Sequence, residues 1–390
     1  MAMRPQQHRA VLHAYPLIGA TRQYGGMRIV IDNASVGDDN LRDTLALIAE
    51  TDSGAEHPLI VAFSDERLPA ALGEWQPPAN TFPEFRAEWL TQPAARQMLG
   101  GGDHPGWCLN GSPGNSLPPP LQKSLAYMVA HGVSGPAAEH IPIPGKTRVQ
   151  TGVHAHAAAD ALFANGVDWI AGWPLRAAIA PDKGHRAANN ATVVRLLQLV
   201  QADADISAIE ALLRQDAGLA FKLLRFINSA ANGLSIRVES FQHAVMILGY
   251  KRLTRWLALL VLASSPDPNQ FPLVGLSLRR GYFMERMGKH HFEGTNIDEL
   301  FMTGLFSLLN PIFPQPFEEL LDQVHLPDAV SDSLRNFGEP YGPLLRLAIA
   351  LEGDDAMAIR DSAQLLGLTE PDVNRALLQA IRDSGRVDLH

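Results

Sequence analysis

Several short stretches of this 390-residue chain carry residue types that could do chemistry. His154-Ala-His156 sets two imidazoles two residues apart, which on a strand would put both on one face, a spacing that metal sites use. His290-His291 is a second imidazole pair, after a helical stretch rich in Arg and Met, where a helix C-terminus favours His through its dipole alone. Neither pair has a third ligand close in sequence, and neutral imidazoles on a metal need carboxylate or further His partners, so exposed polar positions are expected at both. Gly145-Lys146-Thr147 has the tail of a phosphate-binding loop, but His140 stands where its first glycine belongs. Pro142 and Pro144 also remove N–H groups that would have to cradle the phosphate. Gly111-Ser112-Pro113-Gly114 lacks the residue that a nucleophile elbow needs between its first glycine and its serine, which leaves Ser112 as a turn residue.

A further polar group is Arg225, Asn228 and Ser229 in one helical stretch with Arg255 and Trp256 in another. Asn and Ser at a helix end bond the backbone, and Arg225 has Asp216 and Glu239 as carboxylate partners within reach in sequence. The alternative is a surface that recognises a protein partner or a small anion, since Arg and Trp are enriched in interface hot spots. The stripe Phe221, Leu224, Phe226, Ile227, Leu248, Trp256 and Leu259 repeats at helical spacing and is expected in the core.

These residues must be positioned by two kinds of architecture. In the first half, Val11–Ile18 and Met27–Ile31 read as a strand pair about a Tyr24-Gly25-Gly26 turn, followed by a helix over Leu41–Glu50 and a short strand over Pro58–Phe63. The Gly and Pro clusters of Gly100–Pro120 predict a long irregular loop, Leu121–His131 a helix, Val149–Val153 a strand, Ala157–Ala164 a helix and Asp168–Gly172 a strand. Alternation of strand and helix predicts an α/β domain over residues 1–180. A polar linker is expected over 181–192, and from Val193 onward nearly every segment repeats apolar residues at helical spacing, predicting an all-helical domain over 193–390. Asp205 and Asp216 are placed as N-caps, and Gly249 as a helix end.

Composition narrows the function classes. With 46% hydrophobic and 19% charged residues the chain reads as soluble and globular. A formal charge of −9 argues against a sequence-independent nucleic-acid binder. The one cysteine, Cys108, permits neither an intrachain disulfide nor a Cys pair on zinc, and fits a reducing cytoplasm. The N-terminus shows no export signal, and the densest apolar run, Trp256–Ala263, falls short of the roughly 18 residues of a membrane span.

The stretch Asp216-Ala-Gly-Leu-Ala-Phe-Lys-Leu-Leu-Arg-Phe-Ile-Asn-Ser-Ala230, with Ser240-Phe-Gln-His-Ala-Val-Met-Ile-Leu-Gly249 and Arg255-Trp256, resembles the signature of the HDOD domain, over roughly residues 190 to 385. That family is similar to the HD-type metal phosphohydrolases, whose His-Asp doublet the resemblance places after Gly304-Leu305-Phe306, at Ser307 and Leu308. A hydroxyl and an alkyl group cannot replace imidazole and carboxylate on a hard divalent cation, so no metal site is expected there. Val149–Phe163 and Gly166–Pro174, with Tyr15-Pro16-Leu17-Ile18, resemble the closing and opening strands of an EAL domain, a barrel-type phosphodiesterase for cyclic di-GMP. An EAL domain followed by an HDOD domain is a known arrangement. Here, however, Met27–Ile31 contains no acid where the resemblance calls for one, and the late catalytic Glu is replaced by His154. With under 190 residues against about 250 for a full eight-fold barrel, a degenerate, incomplete and partly open barrel is expected.

The expectation is therefore a non-catalytic bacterial signalling or scaffold protein of the cytoplasm that uses no metal and no cofactor and acts through contacts with signalling proteins. Neither a membrane nor a nucleic acid is expected as a partner. The alternative is a sensor that binds cyclic di-GMP or another nucleotide without cleaving it, with Arg22, Arg28, Lys146 and Arg148 as the cations for its phosphates. A phosphohydrolase with an unrecognised metal set ranks behind both.

Overall fold

The structure, a computed structural model, describes residues 9–34, 36–52, 56–100, 106–111, 117, 119–131, 143, 145–174, 194–200, 202, 204–213, 223, 227–228, 238, 241–263, 268–312, 316–324 and 326–387. The expected linker, Asp216, Arg225, Ser229, Glu239 and Ser112 lie outside the described residues. The chain forms two units, Met1–Ala177 with Ala350–Arg382, and Ala178–Ile349 with Asp383–His390.

The first unit is an eight-stranded barrel with strands β1 (Val11–Gly19), β2 (Tyr24–Asp32), β3 (Leu59–Phe63), β4 (Thr81–Arg86), β5 (Trp107–Asn110), β6 (Leu125–His131), β7 (Thr147–Thr151) and β8 (Trp169–Ala171). They close in chain order. β1 runs antiparallel to both its neighbours, β2 and β8, and all other pairs are parallel. The expected strand pair is the β1–β2 hairpin, with register Val11↔Asp32 to Ile18↔Tyr24. Gly26, at φ +139°, lets β2 leave the turn, where a Cβ would come within 2.3 Å of the Pro58 carbonyl oxygen.

The barrel is closed, not incomplete. Its economy lies in the crossovers: β3 and β4 are joined through a single 3-10 turn at Ala70–Gly73, and among the described barrel helices α1 (Asp38–Asp52), α2 (Pro93–Gly100), α3 (Pro119–Ser124) and α4 (His156–Ala164) only α1 exceeds nine residues. Two further expectations are corrected. Leu121–His131 is α3 and then β6, because β5 and β7 present open edges on either side of Leu125–His131. The expected loop at Gly100–Pro120 contains β5, four residues paired on both sides. Inside the barrel Leu17, Ile60, Cys108, Val129, Val149 and Ala171 form one buried cluster, flanked by Tyr15, Phe82, Tyr127 and Trp169. Outside it, Phe85 stacks edge-on against Trp89 and Trp107.

The second half is helical, as expected: α5 (Ile206–Leu213), α6 (Phe241–Ala263), α7 (Phe271–His291), α8 (Ile297–Phe306), α9 (Leu309–Ile312), α10 (Phe317–Val324), α11 (Asp328–Asn336), α12 (Gly342–Ala350), α13 (Ala356–Leu365) and α14 (Glu370–Gly385). Asp205 accepts from the Ser207 N–H at the start of α5, and Gly249 bends α6 at φ 71°. α7 and α8 approach closely because Gly304 faces the Arg280 backbone, where a Cβ would come within 2.6 Å. Among the described residues no helix is long and apolar enough to cross a membrane.

The division differs from the expected one at the C-terminus, where Ala350–Arg382 belongs with the barrel. β8 pairs only with Leu17–Gly19 of β1. Beyond it, the edge of β1 that faces away from β2 needs partners for its backbone groups. Asn374, itself buried, supplies two: its Oδ1 accepts from the Leu12 N–H at 3.1 Å and its Nδ2 donates to the Ala10 carbonyl at 2.8 Å. The Leu351 carbonyl accepts from the Ala14 N–H at 3.0 Å. An apolar pattern shows that α13 and α14 are helices, but not that they serve as the missing neighbour of a strand more than 300 residues away.

Candidate functional site

Barrels of this kind place chemistry at the C-terminal ends of their parallel strands. The polar residues that gather toward that end here are Arg28 from β2, Glu84 from β4, Asn110 from β5, His131 from β6 and Thr151 from β7. The centre of the group is an ion pair across the barrel interior. Arg28 Nε and Nη2 donate to the two carboxylate oxygens of Glu84 at 2.7 and 2.8 Å, and Asn110 Nδ2 donates to Glu84 Oε1 at 2.6 Å. Glu84 is 3% exposed. Burial alone would raise its carboxyl, but the Arg28 charge and the hydrogen bonds from Arg28 and Asn110 overcome this and hold it below the usual carboxylate range. Burial likewise works against the Arg28 cation, and the Glu84 charge more than compensates. Cys108, two residues from Asn110 and also inside, has its thiol pushed well up by burial and by the Glu84 charge, so it is not a thiolate nucleophile.

On the far side Thr151 donates to the Ala130 carbonyl at 3.2 Å, so its hydroxyl accepts from His131 Nδ1 at 2.6 Å. Asp32, at the end of β2, pairs with Arg360 of α13 at 3.1 Å. Among the described residues no group of three or more His, Cys, Asp or Glu side chains converges as a metal site would require. The donors present do not fit a pair of divalent cations: Glu84 is bound by a guanidinium and Asp32 by another.

Of the sequence candidates, Arg28 alone lies in this interior group. Arg22 pairs with Asp160 and lies over the Phe163 and Trp173 rings, Lys146 donates to the Leu125 carbonyl, and Arg148 donates to the carbonyls of Asn165 and Gly166. His154 is exposed and follows the end of β7, while His156 opens α4 and packs on Trp173, so the two are not on one strand face. His290 and His291 are exposed in the last turn of α7. Glu84 and Asn110 escaped the sequence reading. Pro83 sits in mid-strand and argues against a strand there, and β5 is embedded in a Gly- and Pro-rich stretch.

Of the second candidate group, in the helical unit, the structure describes Asn228, Arg255 and Trp256. Asn228 Nδ2 donates to the Val238 carbonyl at 2.8 Å and its Oδ1 accepts from the Val238 N–H at 2.7 Å. Trp256 is buried, and so are Ile227, Leu248 and Leu259 of the predicted stripe. Arg255 reaches Glu285, lies over the Phe301 ring at 3.8 Å and has Asp298 at 3.7 Å. Lys289 also pairs with Glu285, whose carboxyl burial would raise and these two cations lower, to a net value below the usual range. At the doublet positions, the Ser307 hydroxyl accepts from Arg280 Nη1 at 2.9 Å and donates to the Gly304 carbonyl at 2.7 Å, while Leu308 is buried.

Fold and site thus define a two-unit protein in which an eight-stranded α/β barrel is joined to a helical unit. Residues 188–325 match the HDOD domain family. The chain is 32% identical over 187 residues to the cyclic di-GMP phosphodiesterase CdgJ of Vibrio cholerae serotype O1, covering 47% of this chain and 43% of that protein. It is 24% identical over 163 residues to YuxH of Bacillus subtilis, covering 41% and 40%. The chain therefore spans about two fifths of the length of these curated relatives. Among solved structures, the manganese and cy-diGMP complex of Klebsiella pneumoniae BlrP1 aligns with a TM-score of 0.31 at 14% identity, over 44% of this chain and 56% of that one.

Proposed function

We propose that this chain serves cyclic di-GMP signalling as a protein that does not hydrolyse the nucleotide and passes its signal on through protein contacts. The relation to CdgJ supports the signalling context. The Arg28–Glu84–Asn110 group carries the non-hydrolytic reading. The stretch of β2 in which the EAL resemblance calls for an acid presents instead the guanidinium of Arg28 to the interior. A built-in cation there neutralises Glu84, as Arg360 neutralises Asp32 at the end of β2, and repels a second, divalent cation by like charge. Without a bound cation, water is not activated for attack on a phosphodiester, and that is the larger part of metal-assisted hydrolysis. In the helical unit, Ser307 and Leu308 remove the corresponding donors.

Incubation of the full chain with cyclic di-GMP and either magnesium or manganese, followed by chromatography, tests this reading. No linear dinucleotide above the protein-free blank is expected; steady turnover that scales with protein would overturn it. The sensor alternative finds its four cations already engaged, so calorimetric titration of cyclic di-GMP is expected to show no micromolar binding through them.

A further inference from the structure

The segment Leu351–Asp355 lies against β1, which begins beside the end of β2. The Gly353 carbonyl accepts two hydrogen bonds, from His13 Nδ1 at 2.7 Å and from the Tyr15 hydroxyl at 2.9 Å. His13 and Tyr15 belong to the face of β1 that carries Leu17 into the barrel interior. Before Gly353 the segment is anchored by the Leu351 carbonyl on the Ala14 N–H, and after it α13, into which the segment runs, is anchored by Arg360 on Asp32. Tyr15 is paired with Arg28 itself, while His13, opposite Val30, and Asp32 lie two and four residues farther toward the C-terminal end of β2. Leu351 is buried and holds one end of the segment, whereas residues 353–355 are exposed and the Gly353 carbonyl is held by polar contacts alone, which is the profile of a tip that opens locally rather than with the whole fold.

We propose that Leu351–Asp355 is a strap that closes the C-terminal mouth of the barrel, so that a small molecule reaches the barrel interior only when the strap lifts. The chain itself carries the reporter. Cys108 is its only cysteine, fully buried in the interior cluster. Methyl methanethiosulfonate labelling of Cys108 in the full chain, followed by mass spectrometry, reads mouth opening.

A strap-release variant, Tyr15→Phe with Arg360→Gln, is expected to label about tenfold faster than the unmodified chain, the loss of two anchors amounting to about 1.4 kcal/mol of opening free energy. Arg22→Gln, in the β1–β2 turn, is expected to label at the unmodified rate. For the unmodified chain the rate is expected to stay flat at low urea, because strap opening exposes little surface. A release variant that labels at the unmodified rate would overturn the proposal. So would a rate in the unmodified chain that climbs with urea from the lowest concentrations in step with global unfolding, and that test stands even if the variant fails to fold.

Discussion

Glu84 and Arg28 are a buried pair, and their cost and their benefit separate on mutation. Removing one partner leaves an uncompensated charge inside the barrel, and Glu84→Gln or Arg28→Met is expected to lower unfolding stability in urea by about 3–5 kcal/mol. The double variant should recover much of that loss. A loss under about 1 kcal/mol in both single variants would mean that the pair is not closed in solution. The same pair gives a pH dependence. The Glu84 carboxyl is lower in the folded chain than in the unfolded one, so its contribution is present above the ordinary carboxylate pKa and is lost as pH falls through the depressed native value. His13 adds a second window. Burial lowers its imidazole, against the Gly353 carbonyl and the charges of Asp32 and Asp354, with Arg360 lowering it further. The unfolded chain therefore binds a proton below about pH 6.5 that the folded chain does not, and stability falls from there down to the native value. Thermal melts from pH 8 to 5 should show this slope, and His13→Gln should flatten it.

At the scale of elements, two contacts decide whether each unit holds together. Asn374→Ala strips β1 of its surrogate neighbour and leaves the Leu12 N–H and the Ala10 carbonyl buried without a partner, at about 1–3 kcal/mol for each group. Gly304→Ala forces α8 away from the Arg280 backbone and is expected to cost about 1–3 kcal/mol in the helical unit. Equal melting behaviour of variant and parent would count against either contact. The hairpin, α1, β7, α4 and β8 were legible because their apolar periodicity and turn residues agree with the final structure. β4 and β5 were not: Pro83 and the Gly- and Pro-rich flanks of Trp107–Asn110 are local signals against a strand, overridden by pairing on both sides. The candidate site was legible only in part, because Arg28 was visible as a cation but its partner lay in one of those two strands. The role of Asn374 left no local trace at all.

At the scale of the molecule, the chain leaves the barrel after Ala177 and returns to it at Ala350, so the barrel's sequence is discontinuous. A chain ended at residue 349 should therefore yield an unstable barrel with an open β1 edge, prone to association, although the helical signature is intact; a monomeric truncated chain with the parent's melting temperature would contradict this. Discontinuity also bears on how the chain works, since the returning segment is the one that covers the barrel mouth. On the proposed function, Arg28 takes the place of a bound cation. Manganese titration into the full chain, followed by electron paramagnetic resonance, tests it most directly. No site tighter than millimolar is expected; a stoichiometric micromolar site that disappears in Glu84→Gln would overturn that reading.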